Sequence, residues 1–496
     1  MGIDPYAIGQ KLAAPERHVQ VLVVGAGPAG TAAAIEAANL GAQVLLVDEN
    51  PVPPGLMGLD TPLYYGGRMT GAVQNTGRLT EQIFTANPDL ATAMEAGVEV
   101  MLGVCAWGAF VNGPGVGALP APMVGLADQD RAWLVGYDRL ILATGARDIA
   151  MAFPGWDQPG VMGANGLAAL VQRYDAFAGR RLVILGAGDL GLHTALMALD
   201  HGMEVAAILE AGPVIPGQSA LRETVMDRGV PIHTGQVIHR AHGGLDGVER
   251  VDVGPVGGPT RQIVCDTVCL AIGLAPAIEL FEPMGGRLIM DPTRGGHVPA
   301  LSADGASSLV DVTLVGDCAG LTGPASDHIG YQQTWMRALL AVGDDDVIVC
   351  QCEAVSRGDL TGVQPPRYLE RPARLAARDL LSLAADGPIN QDQIKRLTRA
   401  GMGACQGRRC REQVALTLAC ATNTAPAAIP LAGFRAPVRP LALKILADWN
   451  EDPAVQAGWD VWFGNAPQWV PYRDIDTARE AHHLAILSGQ ERYKAP

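Results

Sequence analysis

The chain of 496 residues contains no uninterrupted apolar run approaching the ~18 residues that a membrane-spanning helix requires. Its first residues, MGIDPYAIGQKLAAPERHVQ, lack the basic stretch followed by an apolar one that marks an export signal. Charge is sparse at 18% of residues, and basic charge is the scarcer kind: 36 Lys and Arg against 51 Asp and Glu give a net charge of −15. That balance opposes general binding to nucleic acid or to anionic membranes. The nine cysteines are an odd number in a long chain without an export signal, so a disulfide framework is not expected. What the chain does have is 48% hydrophobic residues, enough for a substantial core, and a length that predicts about three domains at ~100–200 residues each. Together these features predict a cytoplasmic protein, most simply an enzyme.

The first strong element is HVQVLVVGAGPAGTAAAIEAANLGAQVLLVDEN. A β-branched run from Val19 to Val24 reads as a buried parallel strand, followed by a glycine turn, a helix of small residues and a second strand over Val44 to Val47. In the turn, Gly25 permits the tight bend, Gly27 lets the backbone approach a pyrophosphate, and Gly30 allows helix and strand to pack closely. Pro28 and Ala29 open the helix, whose free N–H groups and positive dipole end suit phosphates. Asp48, 18 residues after Gly30, stands at the strand end where a carboxylate holds a ribose hydroxyl, with Glu49 beside it. A second copy, RLVILGAGDLGLHTALMALDHGMEVAAILEAG, carries Gly186, Gly188 and Gly191. Here the position 18 residues after the last glycine is Leu209, and Glu210 comes one later. The fold signal is therefore good, the ligand signal poor.

Three further segments, LILATG (140–145), VCLAIG (268–273) and VTLVGDCAG (312–320), each read as an apolar strand ending in glycine. Together with the two glycine turns they resemble the two-dinucleotide-binding-domain flavoproteins of the glutathione reductase type, over roughly residues 18–345. The resemblance implies an α/β fold in which Gly25, Gly27, Gly30 and Asp48 hold the ADP half of FAD. It also implies that Thr144, Gly145, Gly316 and Asp317 meet the flavin nucleotide and its ribityl–pyrophosphate region. The stretch 53–68 departs from the Pro-Gly-Gly-Gln pattern of that family. Residues 49–104 and 150–264 contain no cysteine, so dithiol–disulfide chemistry at the flavin is not expected. Cys318 reads as a small buried residue, and the segment Ser326-Asp327-His328 as a helix cap.

The remaining chemistry lies in two tight cysteine pairs, Cys350-Gln-Cys352 and Cys405-x4-Cys410, with 52 residues between them. Thiolates are soft ligands that suit an iron–sulfur cluster or zinc. Six basic residues and no acid lie between Lys395 and Arg411, which would lower thiolate pKa values and offset the charge of a four-thiolate centre. VIVCQCEAVSRGDL and IKRLTRAGMGACQGRRC resemble the [2Fe–2S] domain of the bacterioferritin-associated ferredoxin type. The resemblance implies Cys350, Cys352, Cys405 and Cys410 as ligands. Two departures are the CxxxxC spacing of the second pair and an insertion from Pro365 to Pro388.

The order of these parts, with FPGWDQPGVMGANGLAALV (153–171), resembles the large subunits of heteromeric dehydrogenases that act on amino acids and amines. These include the large component of opine oxidase, hydrogen cyanide synthase and the D-hydroxyproline and proline dehydrogenase systems. The implied layout is a discontinuous FAD-binding domain over 18–150 and 281–345 and an inserted second nucleotide-binding-like domain over 151–280. A small, mainly helical [2Fe–2S] domain over 346–425 and a Trp-rich extension over 426–496 complete it. The implied function is an electron-transfer subunit of a hetero-oligomer in which a partner flavoprotein subunit oxidises a C–N bond. A separate electron acceptor and a small third subunit fit the same scheme. A further cofactor is either a nucleotide, NAD(P) or ATP, at Gly186, Gly188 and Gly191, or FMN at a subunit interface. No acid–base pair or metal-activated nucleophile stands out, so the catalytic residues are unassigned. Trp449, Trp459, Trp462 and Trp469, half of the eight tryptophans, suit either a partner surface or an anchor onto the chain's own core. Two other readings stay open: a self-contained NAD(P)H-dependent flavin and iron–sulfur reductase, and a non-enzymatic scaffold stabilised by an adenine nucleotide.

Overall fold

The last four residues of the strand Arg17–Val24 are all buried, as a strand covered on both faces requires. In the computed structural model, which describes residues 14–52, 67–112, 119–322, 327–366, 369, 378–447 and 475–481, this strand lies inside a seven-stranded sheet. Val44–Asp48 and Ala132–Leu142 flank it, both parallel. Glu99–Leu102 extends one side, and Val312–Leu314 pairs with the C-terminal end of Ala132–Leu142. The start of that long strand instead pairs antiparallel with Met123–Ala127, and Cys105–Phe110 follows.

A second sheet of five parallel strands runs Ile232–Thr234, Glu204–Glu210, Arg181–Leu185, Thr267–Leu270, Val161–Gly163. All of its strands come from the chain between Ala132–Leu142 and Val312–Leu314 of the first sheet. A three-stranded antiparallel sheet, Val237–Gly244, Gly247–Gly254 and Arg261–Val264, belongs to the same stretch. The two passages between the sheets, Ala146–Asp148 and Leu274–Pro276, pair antiparallel. Asp148 is buried there, accepting the N–H groups of Asn165 and Gly166 at the start of the helix Ala164–Ala168.

The cysteine-bearing segment is a short strand pair, Ile348–Cys350 with Val355–Ser356, and the helices Arg357–Thr361, Leu380–Asp386, Gln391–Thr398 and Arg411–Thr422. Ser356 and Asp359 form a reciprocal cap that starts the first of these helices. The segment shares one hydrophobic core with the second sheet. Buried hydrogen bonds fix the contact: Trp156 Nε1 donates to Ile348 O at 2.6 Å, and Arg357 donates to Ala152 O and Leu339 O. Gln413 accepts from Ala152 N and donates to Val349 O. No helix among the described residues is long and apolar enough to cross a membrane. The four C-terminal tryptophans and residues 53–66 lie outside the described residues.

Candidate functional site

Gly25 leaves its strand with φ +107°, and a β-carbon there would stand 2.2 Å from Ala143 O. At Gly30 an added β-carbon would meet Gly25 O at 1.9 Å, so the turn tolerates no side chain at either position. Gly27 differs: nothing lies within 4 Å of a β-carbon placed on it. It is the N-cap of the helix Pro28–Asn39, with no side-chain cap and no acid in the first turn. The open face and the uncapped N–H groups together have the features that suit a phosphate. Asp48 accepts the Ala26 N–H at 2.6 Å and both N–H donors of Asn50, which holds its carboxylate at the strand end.

Thr144 and Gly145 lie just past the end of the neighbouring strand. The Thr144 hydroxyl donates to Ala277 O at 2.7 Å, and Ala277 N–H donates back to Gly145 O. Gly316 has φ +70°, and its added β-carbon would stand 2.8 Å from Ala29 Cβ, so the turn carrying Asp317 abuts the start of the Pro28–Asn39 helix. Cys318 is fully buried, its thiol donating to Leu142 O, and burial pushes its pKa up, the setting of a packing residue. Asp327 caps the helix His328–Val342 by accepting the Gly330 N–H. One contributor gave no sequence signal. Arg439 arrives from beyond the cysteine segment to pair with Glu49, beside Asp48. Burial pulls its pKa down to about 10, against the pull of Asp48.

The second glycine turn has the same steric demands. Gly186 has φ +109° and would clash with Ala271 O, and Gly191 would meet Gly186 O at 1.9 Å. Its acid is Glu210, which accepts the Ala187 N–H at 3.0 Å just as Asp48 accepts that of Ala26. The one-residue offset of this acid relative to Asp48 is accommodated by the strand itself. Glu204–Glu210 carries a bulge between Val205 and Ala207, which absorbs the extra residue and returns Glu210 to the strand end.

That acid is already engaged. Glu210 is 1% exposed, and besides Ala187 it accepts the Gly212 N–H at 2.8 Å and the Tyr331 hydroxyl at 2.7 Å. Tyr331 comes from the His328–Val342 helix and lies against Gly186 and Gly188. Gly217 N–H donates to Ala187 O, and Gln218 binds Asp189 through both its backbone and side-chain N–H groups. Asp189 places a carboxylate in the first helical turn, a charge that opposes an anion there.

The two cysteine pairs meet in space. Cys350 contacts Cys410 and Cys352 contacts Cys405 through their thiols, while Gly401 N–H donates to Cys350 Sγ at 3.4 Å. An added β-carbon at Gly403 would stand 2.3 Å from Cys352 Cβ, so glycine is what lets this loop close on the first pair. Cys350, Cys405 and Cys410 are buried and Cys352 is half-buried. The hydrogen bond from Cys405 pulls Cys352 down to about 6 against its burial, with Arg409 assisting. None of the nine cysteines is in a disulfide, and no three candidate ligands among the described residues stand in closed metal-binding geometry. The donor set of four convergent thiols in a largely buried loop fits a thiolate-bound centre. The basic stretch is less uniform than its sequence suggests, because Arg399 pairs with Glu353, and Arg411 with Glu282 and Glu412.

Arg147, two residues past the ATG turn, joins this centre to the first sheet. It is buried, donates to Arg408 O at 3.2 Å, and pairs with Glu412 at 2.5 Å and Glu279 at 3.2 Å. Sequence reasoning missed it, and the only local signal is the adjacent Arg147-Asp148 pair in a mostly apolar stretch.

Residues 19–344 match the pyridine nucleotide-disulphide oxidoreductase family, and residues 372–449 match the sarcosine oxidase A3 domain. The large component of opine oxidase from Agrobacterium tumefaciens is 27% identical over 86% of this chain and 91% of its own length. The hydrogen cyanide synthase subunit HcnB of Pseudomonas aeruginosa is 25% identical over 79% of this chain and 91% of its own. The alpha component of sarcosine oxidase from Rhizobium meliloti is 26% identical over 95% of this chain, which spans about half (48%) of that relative's length. L-proline dehydrogenase from P. horikoshii has a similar fold, with a TM-score of 0.57 at 20% identity, covering 88% of this chain and 81% of that one.

Proposed function

Because the chain belongs to the pyridine nucleotide-disulphide oxidoreductase family, an FAD-binding fold, we propose that it is the FAD- and [2Fe–2S]-carrying electron-transfer subunit of a heteromeric amine or amino-acid dehydrogenase. The substrate class is an opine, proline, hydroxyproline or glycine-like compound whose C–N bond is oxidised on a partner flavoprotein subunit. The names of its relatives, which are components of opine oxidase, sarcosine oxidase and hydrogen cyanide synthase, support both the subunit role and the substrate class.

In this reading the Gly25, Gly27 and Gly30 turn, with Pro28 and Ala29, takes the pyrophosphate, and Asp48 with Glu49 takes the adenosine ribose. Thr144, Gly145, Gly316 and Asp317 line the other end. Cys350, Cys352, Cys405 and Cys410 hold the cluster. When bound, the flavin converts two-electron into one-electron transfer, and the cluster relays single electrons. Arg147 holds the cysteine loop against the flavin fold, and Gly401 N–H donates to a ligand sulfur, the kind of contact that tunes a cluster. Disulfide reduction is not part of this reading, since Cys265 and Cys269 are buried with their thiol pKa values pushed up.

The observation that carries the proposal is the convergence of four thiols on a loop tied by Arg147 to the flavin fold. The self-contained NAD(P)H reductase is disfavoured by the engaged Glu210 and by Asp189 at the second turn. An anaerobic visible spectrum of the purified chain, before and after NADH and NADPH, tests both. The expected result is flavin and iron–sulfur absorbance that neither nicotinamide bleaches. Prompt bleaching by stoichiometric NAD(P)H would establish the reductase instead, and a colourless chain holding an adenine nucleotide would establish the scaffold.

A further inference from the structure

The chain from Ala432 to Arg439 runs as a strap between the cysteine segment and the first sheet. At its start, Ala432 N–H donates to Gln391 Oε1 at 2.8 Å, and Ala432 O accepts from Arg411, the neighbour of Cys410. Phe434 and Val438 are then buried in a core built on the first sheet, and Val438 N–H donates to Trp107 O at 2.7 Å. These anchors deliver Arg439 to the end of Val44–Asp48, where it pairs with Glu49 and lies within range of the Asp48 charge. Farther along, Lys444 pairs with Asp130 on the surface.

Asp48 is short of acceptor capacity for holding a ribose alone. It already takes three N–H groups, one from Ala26 and both donors of Asn50. A carboxylate offers about four acceptor sites, so about one is left, whereas an adenosine ribose brings a pair of hydroxyls. A second acceptor is needed beside it. Glu49 is next in the chain, with its side chain 32% exposed. A glutamate that open to water would spread over several rotamers. The ion pair with a planar guanidinium on an anchored strap holds its carboxylate in one place. The same cation offsets the repulsion between the two neighbouring carboxylates.

We propose that Arg439 is a positioning residue of the first nucleotide site: it holds the Glu49 carboxylate beside Asp48, so that the two acids share the hydroxyls of an adenosine ribose. This deepens the reading of the first turn given above and rests on it. The part of the cofactor concerned is its ADP half.

The test uses the purified full chain. FAD leaving it on dilution is followed by flavin fluorescence, and the emptied chain is titrated calorimetrically with ADP and with 2′,3′-dideoxy-ADP. The wild type should prefer ADP about a hundredfold, roughly a factor of ten for each hydrogen bond to a charged group. Arg439→Ala should cut that preference to about tenfold and speed FAD release by a similar factor. Glu49→Ala should match it, and the double variant should be no worse than either alone, because the arginine acts through the glutamate. Lys444→Ala, which frees the same strap elsewhere, should leave the preference unchanged, and Arg439→Lys should recover part of it. If Arg439→Ala does not fold, Arg439→Met keeps the length of the side chain and reads the same ratio.

An unchanged preference in the Arg439 variants overturns the proposal, as does an equal drop in Lys444→Ala, which would reduce Arg439 to an anchor of the strap. The two readings fail separately. A coloured chain whose preference ignores Arg439 loses only this inference, whereas a colourless chain that binds ADP with the expected ratios loses the FAD reading and keeps Arg439. A wild type that binds neither FAD nor ADP overturns both.

Discussion

The two glycine turns share one backbone design but differ in what surrounds it. Each bends through a glycine with φ near +110°, each packs its third glycine 1.9 Å from a carbonyl if given a β-carbon, and each ends in an acid that accepts the same backbone N–H. Around Gly27 the space is open and the helix start uncharged. Around Gly188 and Glu210 the protein has supplied its own partners, the Tyr331 hydroxyl, the Gly217–Gln218 backbone and the Asp189 carboxylate. A glycine motif therefore specifies a turn. Whether the turn holds a nucleotide depends on residues that pack against it from elsewhere in the chain.

Matched substitutions separate the turn from the ligand most sharply. A β-carbon at Gly27 meets no protein atom, so Gly27→Val should leave the chain folded while its flavin content falls at least tenfold, read from the visible spectrum of the purified protein. Gly188→Val, at the same point of the second turn, should leave flavin content unchanged. Equal losses from both would erase the distinction between the turns.

A smaller effect is expected at the acids. Glu210→Ala strands the Ala187 and Gly212 N–H groups and the Tyr331 hydroxyl in a buried site, costing about 3 kcal/mol. The folded variant should keep its flavin. Asp48→Ala should do the reverse, weakening flavin retention more than stability, because its surroundings reach solvent. Urea midpoints beside flavin release measure both.

The smallest effect concerns pH. Burial holds the Glu210 carboxyl above its ordinary value of 4.5, against the Gly212, Tyr331 and Ala187 hydrogen bonds that favour its charge. Its folded form thus binds the proton more tightly than the unfolded chain. The stability it contributes is full below 4.5 and is lost as pH rises through the raised value. Glu210→Gln keeps an acceptor and removes this titration, so its urea midpoint should fall less between pH 5 and 8 than that of the wild type. Parallel profiles would show that Glu210 is not the titrating group.

Much of this molecule was legible in its residues. The β-branched run at Val19 to Val24, the glycines at 25, 27 and 30, and the acid at 48 are local signals, because a strand–turn–helix unit is set by neighbours in the chain. The pairing of cysteines 350, 352, 405 and 410 was legible for a chemical reason: two closely spaced thiol pairs are the donor pattern of a soft metal centre. The bulge before Glu210 was not, since it arises from pairing with Arg181–Leu185 and shifts the acid by one residue. Nor were Tyr331, Arg147 and Arg439, whose partners lie 121, 265 and 390 residues away in the chain.

By itself, the amino-acid order determined the parts: two nucleotide-type turns, a flavoprotein-like frame and a four-thiol set, each encoded within a few dozen residues by periodicity and glycine placement. Tertiary structure decided which parts are free to bind. It closed the second turn with a tyrosine from a distant helix and fastened the thiol loop to the flavin fold through a buried arginine. The physical reason is that hydrogen bonds and ion pairs between distant segments exist only once the chain has packed. Spacing along the chain carries no record of which donor will find which acceptor.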